Sequence, residues 1–506
     1  MELKVPIPAH DTSSDCARLF FAKANFLVLK LTDYCNLRCR YCHQDALNGE
    51  PVLMPMETLR NAVKLILAPS IAPTVYVQFH GGEPLLCSDD FFREVVSWAK
   101  QALEKPNRNV KFCIQTNLTK LTAEREKVLC ELGISISFSI DGPPEINDTM
   151  RGGSRLIIEN YRRMRANGTE AGAICLIQPS NWDTIREVLQ FFHDEKIWSV
   201  RFNVIAPDGR AKELVAANAE KIFQAKKTIL DYMLETDGQS VVDASLYNAM
   251  RRFARTSGAP SSLQYHGCES LYCQAGRALY SVNPDGHFFC CDRIAEKPAW
   301  AMGNVNSPFG EDQRKQAKQK RSLFHSKDEG WAKCEACDAR KICEFSCTAY
   351  YVDEIDTREA ECTYTRKMWG YFLERKEAIF NFIKKGNRPI FIDDKKPISE
   401  QPEETWLIKD MAQDAFFNSL SATQVVVSNP HFQCLERAGQ YYLYVHDRKK
   451  IFEVDEMVAS IARFNRTVPA SNIEDAMDKK FSKEKVLETI HNIKKLLPEL
   501  LPSSLI

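Results

Sequence analysis

Three cysteines stand in the stretch Cys35-Asn36-Leu37-Arg38-Cys39-Arg40-Tyr41-Cys42, separated by three and then two residues. Thiolate is the ligand that iron-sulfur clusters take, so three of them can hold three corners of a four-iron cluster. The fourth iron then stays open to chelate the amino and carboxylate groups of an amino-acid-like cofactor. A structural zinc site built on the same cysteines needs a fourth ligand, and His43 stands next in the chain. Further along come Cys268, Cys273 and Cys291, then Cys334, Cys337, Cys343 and Cys347 at two-, five- and three-residue separations, and last Cys362. Eight thiolates make two four-ligand sites, for iron-sulfur clusters or for zinc.

The rest of the composition narrows the setting. At 506 residues and 44% hydrophobic content, the chain can bury a large core and hold two or three domains. Lys plus Arg and Asp plus Glu balance at 67 each, which removes any bulk electrostatic case for nucleic acid or an acidic membrane as partner. No apolar run reaches the length of a membrane span, and Met1 to Pro6 lacks the apolar core of a signal peptide. With 18 cysteines falling mostly in ligand-spaced groups, a cytoplasmic, reducing location is expected.

The elements that must position these thiols follow a regular grammar. From about residue 24 to 240, β-branched or aromatic runs alternate with amphipathic helical ones, which predicts βα units and a parallel sheet. The expected strands are Phe26 to Leu31, Val75 to Phe79, Lys111 to Thr116, Ile134 to Ile140, Ala173 to Ile177 and Val200 to Ile205. The expected crossover helices are Glu57 to Leu67, Asp90 to Ala102, Ala123 to Leu132, Arg155 to Ala166 and Trp182 to His193, with a longer helix at 217–235. Residues 1–23 show no clear periodicity and are expected as an irregular lead-in, with Cys16 a bystander. The thiolate loop thus falls at the C-terminal end of a buried first strand, where α/β barrels keep their active sites.

Together the cysteine spacing and its strand context resemble the signature of radical SAM enzymes. The resemblance implies a partial (β/α)6 barrel of the TIM type, with a [4Fe-4S] cluster on Cys35, Cys39 and Cys42 and S-adenosylmethionine at its open iron. One βα unit later, His80-Gly81-Gly82-Glu83-Pro84 matches the family stretch that contacts the methionine amino group. Its glycines let the backbone approach closely, and Glu83 offers an acceptor for the ammonium. Gln115-Thr116-Asn117 is similar to the polar tip aimed at substrate or ribose. In Ser139-Ile140-Asp141-Gly142 the serine resembles the residue that supports the cofactor carboxylate, with Arg151 a second support. Tyr41, inside the loop, belongs to the same implied cofactor-binding set.

The later cysteines, with Gly286 placed to turn a hairpin back before Cys291, resemble a SPASM domain. That resemblance implies two auxiliary [4Fe-4S] clusters, three clusters in all. It gives Cys268, Cys273, Cys291 and Cys347 to one and Cys334, Cys337, Cys343 and Cys362 to the other. Cys290 is either a buried thiol or a substitute ligand for Cys291. Asp292 matches the catalytic base of the sulfatase-maturating enzymes. The basic run Arg314, Lys315, Lys318, Lys320 and Arg321 reads as a solvated helix face that could also meet an acidic leader.

The composition shifts at 386–404, a linker. Beyond it, Gln440 to Val445 and Ile451 to Val454 read as a hairpin, followed by three helices. This α+β tail resembles the small winged-helix domains, similar to PqqD, that bind leader peptides by strand addition. The expected domains are 1–23, 24–245 (barrel), 246–385 (SPASM), 386–404 and 405–506 (peptide recognition).

The implied function is maturation of a ribosomally made precursor peptide. A 5'-deoxyadenosyl radical takes a side-chain hydrogen, and a carbon-carbon (cyclophane-like) or thioether cross-link closes, with an electron donor such as flavodoxin or ferredoxin. Anaerobic sulfatase maturation to formylglycine is the alternative, and a non-catalytic iron-sulfur carrier is an alternative of another class.

Overall fold

The computed structural model describes residues 12–47, 50–106, 108–205, 209–211, 218–255, 273–326, 337–343, 349, 358–384 and the backbone of four strands between 423 and 454. The chain divides into two compact units, 1–254 with 263–393, and 255–262 with 394–506.

In the first unit, helix α1 (Thr12–Phe21) precedes strand β1 (Phe26–Lys30). After β1 the unit repeats strand and helix: α2 (Met56–Ala62), β2 (Thr74–His80), α3 (Asp89–Ala102), β3 (Asn109–Thr116), α4 (Ala123–Leu132) and β4 (Ile134–Ser139). Two helices, α5 (Pro144–Met150) and α6 (Ser154–Ala166), lead to β5 (Ala171–Ile177), then α7 (Ile185–Asp194), β6 (Ser199–Val204) and α8 (Ala219–Glu235). Strand β7 (Val242–Asp243), helix α9 (Ala244–Arg255), strands β8 (Leu279–Val282), β9 (His287–Phe289) and β10 (Gly303–Asn304), and helix α10 (Glu311–Ser326) follow. Among the described residues these ten strands form one sheet in the order β10-β9-β8-β1-β2-β3-β4-β5-β6-β7. Pairing is parallel from β8 through β1 to β7, and antiparallel only at β8, β9 and β10.

Alternation along each strand explains both faces. On β2, Val75, Val77 and Phe79 are buried beneath the helices while Tyr76, Gln78 and His80 are half-buried on the other face. Gln115, Ser137 and Ser139 continue that second face on β3 and β4 in register. A barrel whose inner positions are polar at the strand ends leaves room for a ligand where side-chain layers would otherwise fill it.

All six expected barrel strands and all five crossover helices are present. The first helix differs: after Ala62 the chain makes a π-helical turn, Val63–Leu67, with Ala68 N–H reaching Val63 O at 3.0 Å, an insertion that apolar spacing does not reveal. The lead-in corrects the expectation more sharply. Its described part is not irregular: within the helix Thr12–Phe21, Cys16, Ala17, Phe20 and Phe21 form a buried stripe. Phe21 stacks edge-on with Tyr280 at 5.1 Å, and Cys16 is buried with its Sγ 3.4 Å from Glu311. The basic run on α10 is also not wholly solvated: Lys315 and Lys318 are exposed, but Arg321 lies 4.7 Å over the Phe20 ring and Lys320 donates to Ala299 O. Gly286, at φ +88, turns the β8–β9 hairpin.

In the second unit the described backbone is an antiparallel sheet of β11 (Thr423–Ser428), β12 (Phe432–Arg437), β13 (Gln440–Val445) and β14 (Lys450–Val454), in that order. The expected hairpin is its β13–β14 pair. The linker at 386–404 and the three helices expected after 455 lie outside the described residues.

Candidate functional site

The loop after β1 is tied to its neighbours mainly through backbone. Leu31 N–H donates to His80 O at 2.9 Å, Cys35 N–H to Leu47 O at 2.8 Å, and Arg40 N–H to Met150 O at 2.8 Å. Gly82 and Glu83 donate to Thr32 O and Tyr34 O, at 2.7 and 2.8 Å. The two glycines have a steric purpose that the sequence does not show. A Cβ on Gly81 would stand 2.4 Å from Thr32 O, and one on Gly82 1.9 Å from Tyr34 O. Glycine here lets the end of β2 lie flush against the thiolate loop.

Glu83 is almost fully buried and accepts from Leu85 N–H (2.9 Å), Thr116 Oγ1 (2.7 Å) and Asn117 N–H (2.7 Å). Burial raises its pKa, against the lowering effect of those donors. Three of about four acceptor positions are used, so one lone pair remains. Asn117 in turn donates through Nδ2 to Asn36 Oδ1 at 3.1 Å and to Cys35 Sγ at 3.7 Å, where the Leu37 N–H also points, at 3.4 Å. Glu83, Asn117 and Cys35 therefore form one connected chain across β2, β3 and the loop. Beside them Gln115 donates to Ser139 Oγ at 2.9 Å.

Asp141, fully buried, is a hub, although in the sequence Ser139 is the residue of that stretch that stands out. It accepts from Tyr41 OH and from Leu176 N–H (3.0 Å), and the Arg151 Nε lies 3.4 Å from it. Arg151 also stands 5.5 Å from the centre of the Tyr41 ring. Tyr41 and Arg151 are thus fixed to each other and to β4.

Asp292 follows Cys291 in a short 3-10 turn after β9 and reaches the barrel mouth. Its carboxylate is 3.4 Å from Gln44 Nε2, 3.5 Å from His43 Nε2 and 3.8 Å from His80 Nδ1. Burial opposes its ionisation most strongly, but His80, His43 and Lys30 outweigh that and hold the carboxyl below the usual carboxylate range. His43 is depressed, by burial first and then by Arg293. Lys30, fully buried, joins Glu296 and lies 3.2 Å from Asp33. Gln44, His80, Lys30 and Glu296 were not singled out in the sequence as partners of Asp292. For Lys30 and His80, the last residues of β1 and β2, that position was the available signal; Gln44 and Glu296 carried none.

Of the auxiliary cysteines, Cys273, Cys291, Cys337, Cys343 and Cys362 are described and Cys268, Cys334 and Cys347 are not. Cys291 is buried beside Asp292. Cys290 is buried with its Sγ 3.4 Å from Met302 Sδ, and its pKa is pushed up to about 12, by burial and then by Cys273 nearby. Among the described residues no three His, Cys, Asp or Glu side chains converge on a single metal ion. A four-iron cluster does not ask for that, since each thiolate binds its own iron. The half-buried Cys35, Cys39 and Cys42 thiols at the barrel mouth, one already receiving N–H donors, are a donor set of the type such a cluster requires.

Comparison with known families matches residues 29–192, from the end of β1 through α7, to the Radical SAM superfamily. The barrel is a radical SAM domain. Its fold implies one [4Fe-4S] cluster and S-adenosylmethionine. An uncharacterized protein of Methanothermobacter thermautotrophicus is 29% identical over 227 residues, 44% of this chain and 84% of that one. A serine-type anaerobic sulfatase-maturating enzyme of Bacteroides thetaiotaomicron is 22% identical over 398 residues, 72% of this chain and 92% of that one. A cysteine-type enzyme of Clostridium novyi is 26% identical over 189 residues, 35% of this chain and 50% of that one. Among solved structures, anSMEcpe with bound AdoMet and a Cp18Cys peptide shares the fold at a TM-score of 0.58 and 18% identity, over 71% of this chain and 99% of that one. No helix among the described residues is long and apolar enough to cross a membrane.

Proposed function

We propose that this radical SAM enzyme matures a ribosomally made peptide by forming a cross-link, carbon-carbon or thioether, within it. When bound, a cluster and S-adenosylmethionine would supply the radical chemistry, a 5'-deoxyadenosyl group able to take a hydrogen from the target side chain. Cys35, Cys39 and Cys42 hold that cluster. Gly81, Gly82, Glu83 and Pro84 receive the methionine end, with Glu83 giving its remaining lone pair to the ammonium. Ser139 and Arg151 support the carboxylate, Tyr41 braces Arg151, and Gln115 and Asn117 face the ribose or the substrate. The substrate carbon has to sit within about 3 to 3.5 Å of the attacking centre, which a pre-ordered mouth achieves by orientation.

Asp292 accepts the proton that the substrate releases as the bond closes, and His80, His43 and Lys30 hold its carboxylate ionised in readiness. This gathering of Asp292 with the residues after Cys42 and the end of β2 is the observation that carries the reading. Cys268, Cys273, Cys291 and Cys347, and Cys334, Cys337, Cys343 and Cys362, would hold two auxiliary clusters, which would supply an acceptor for the electron released with that proton. Cluster potentials span roughly -700 to +450 mV, so one protein can tune one cluster to donate and another to accept. A flavodoxin or ferredoxin in a reducing cytoplasm supplies the first electron.

The antiparallel sheet of residues 423–454 supports a leader-binding role for the tail. Its outer strands β11 and β14 each have one unpaired side among the described residues, the edge to which an extended leader adds. Formylglycine formation in a sulfatase is the second reading, favoured by the likeness over 92% of the Bacteroides enzyme.

One experiment separates them. The full chain, and the chain lacking 405–506, are each co-expressed with a candidate precursor peptide and the product mass is measured. Loss of two hydrogens per bond without a hydrazide-reactive aldehyde, abolished by the truncation, is the expected result. An aldehyde refutes the peptide cross-linking account, and a truncated enzyme as active as the whole refutes the leader-binding role of the tail.

A further inference from the structure

Arg210 is a buried cation whose one ion-pair partner among the described residues is the largely exposed Asp45. It sits in the short turn Gly209–Ala211 after β6. Its backbone N–H donates to Cys42 O at 3.0 Å. A Cβ on Gly209, at φ +56, would stand 2.3 Å from Cys42 O and 2.6 Å from His43 Cα. The turn therefore rests directly on the end of the thiolate loop, and its glycine is what allows the approach. Ala211, fully buried, packs in a small apolar cluster with Tyr41 and Met150, against which Cys39 also lies.

The Arg210 side chain is 16% exposed. Its Nε, Nη1 and Nη2 are all buried and make no hydrogen bond among the described residues. Asp45 Oδ1 is 3.5 Å from Nε, but that carboxylate is 71% exposed. Arg151, a second buried cation beside the loop, differs in having Asp141 and the Tyr41 ring against it, whereas Arg38 and Arg40 of the loop are exposed. A guanidinium keeps its charge and carries five donors in a rigid fork. Burying it with those donors idle is strongly unfavourable unless an anion completes the site.

We propose that Arg210 donates to the iron-sulfur cluster held by Cys35, Cys39 and Cys42 and stabilises its reduced state. This rests on the assignment of those thiols as cluster ligands. Three thiolates outweigh the charge of an oxidised four-iron core, and the electron added on reduction makes the assembly more negative. A fixed cation and N–H donors beside it raise its potential. The cofactor carboxylate, assigned to Ser139 and Arg151, is the competing anion for Arg210, and the test distinguishes the two.

The full chain and its Arg210→Gln and Arg210→Lys variants are reconstituted anaerobically with iron and sulfide. The cluster whose EPR spectrum responds to S-adenosylmethionine is titrated for its midpoint potential without the cofactor, and cofactor affinity is measured by equilibrium dialysis. For Arg210→Gln the reduction constant should fall about tenfold, ~59 mV for a one-electron couple, with iron content and cofactor affinity retained. Arg210→Lys should shift in the same direction by less. An unchanged potential overturns the proposal, and an unchanged potential with weakened cofactor binding assigns Arg210 to the carboxylate instead. Should Arg210→Gln fail to retain iron, the Lys variant decides: no shift there, and the proposal fails. Persistence of the cofactor-sensitive EPR signal when Cys35, Cys39 and Cys42 are all alanine would instead refute the ligand assignment, whatever Arg210 does.

Discussion

Gly82→Ala is a demanding test of how the thiolate loop is held. The added methyl would lie 1.9 Å from Tyr34 O, 2.3 Å from Tyr34 C and 3.0 Å from Cys35 N, all backbone atoms that no rotamer change can move. Gly82 has none of the positive φ values that penalise alanine by conformation, so the cost is steric. Overpacking of a tight site costs roughly 1 to 3 kcal/mol. The two hydrogen bonds that hold the junction, Gly82 N–H to Thr32 O and Glu83 N–H to Tyr34 O, are worth about 1 kcal/mol each. The sum is ~3 to 5 kcal/mol, or about 6 to 10 °C in Tm at roughly 2 °C per kcal/mol for a large domain. Thermal unfolding of the iron-free chain, followed by circular dichroism, measures it, and iron content after reconstitution reports whether the loop still holds its shape. Gly370→Ala is the control: its Cβ meets nothing within 4 Å, and in the helix Arg358–Glu374 the change should be neutral or stabilising by up to ~1 kcal/mol. A Gly82→Ala protein with unchanged Tm and full iron content would refute the account of this junction.

Further predictions concern the proton acceptor and the helix packing around the barrel. Asp292→Asn should lower product formation by about 10²- to 10⁴-fold, the usual range for a lost general base, while S-adenosylmethionine cleavage continues in a 5'-deoxyadenosine assay; equal loss of both would deny Asp292 a proton role. Asp231 on α8 takes hydrogen bonds from Tyr371 OH, from Arg375 Nη2 at 2.8 Å and from Lys227 Nζ at 3.1 Å. Burial works against its ionisation, but these partners together hold its pKa below the usual value. Asp231→Asn should therefore cost ~1 to 3 kcal/mol at neutral pH, allowing for partial solvent screening. Because the folded pKa lies below the unfolded one, about 3.9, this contribution is complete above that value and disappears as pH falls through the folded pKa. Urea denaturation at a series of pH values should show the two proteins converging in acid, and a gap that persisted there would contradict the assignment.

Much of this arrangement was legible from local pattern. Strands such as Thr74–His80 announce themselves because every second residue is apolar, and the three-and-two cysteine spacing names its own chemistry. What stayed hidden depends on partners distant in sequence. The α1 stripe of Cys16, Ala17, Phe20 and Phe21 is short, and its meaning depends on Tyr280, Phe288 and Phe309 more than 250 residues later. The π-turn after Ala62 leaves the apolar content of the helix intact. Gly82 reads as a residue that opens the backbone to a ligand, and that its missing side chain also admits the backbone of Tyr34 is visible only in the fold. Asp141 looked secondary to Ser139 because only the fold brings Tyr41, Leu176 and Arg151 to it. Arg210 carries no motif, and its lack of hydrogen bonds among the described residues becomes visible only when the turn after β6 is laid on Cys42.

The most direct measurement is 5'-deoxyadenosine release by the dithionite-reduced, reconstituted full chain, set beside the variant in which Cys35, Cys39 and Cys42 are alanine and the eight later cysteines are kept. The wild type should cleave S-adenosylmethionine and the variant should release none, although it still binds iron. Release from the variant at the wild-type rate would contradict the claim that this loop holds the reactive cluster.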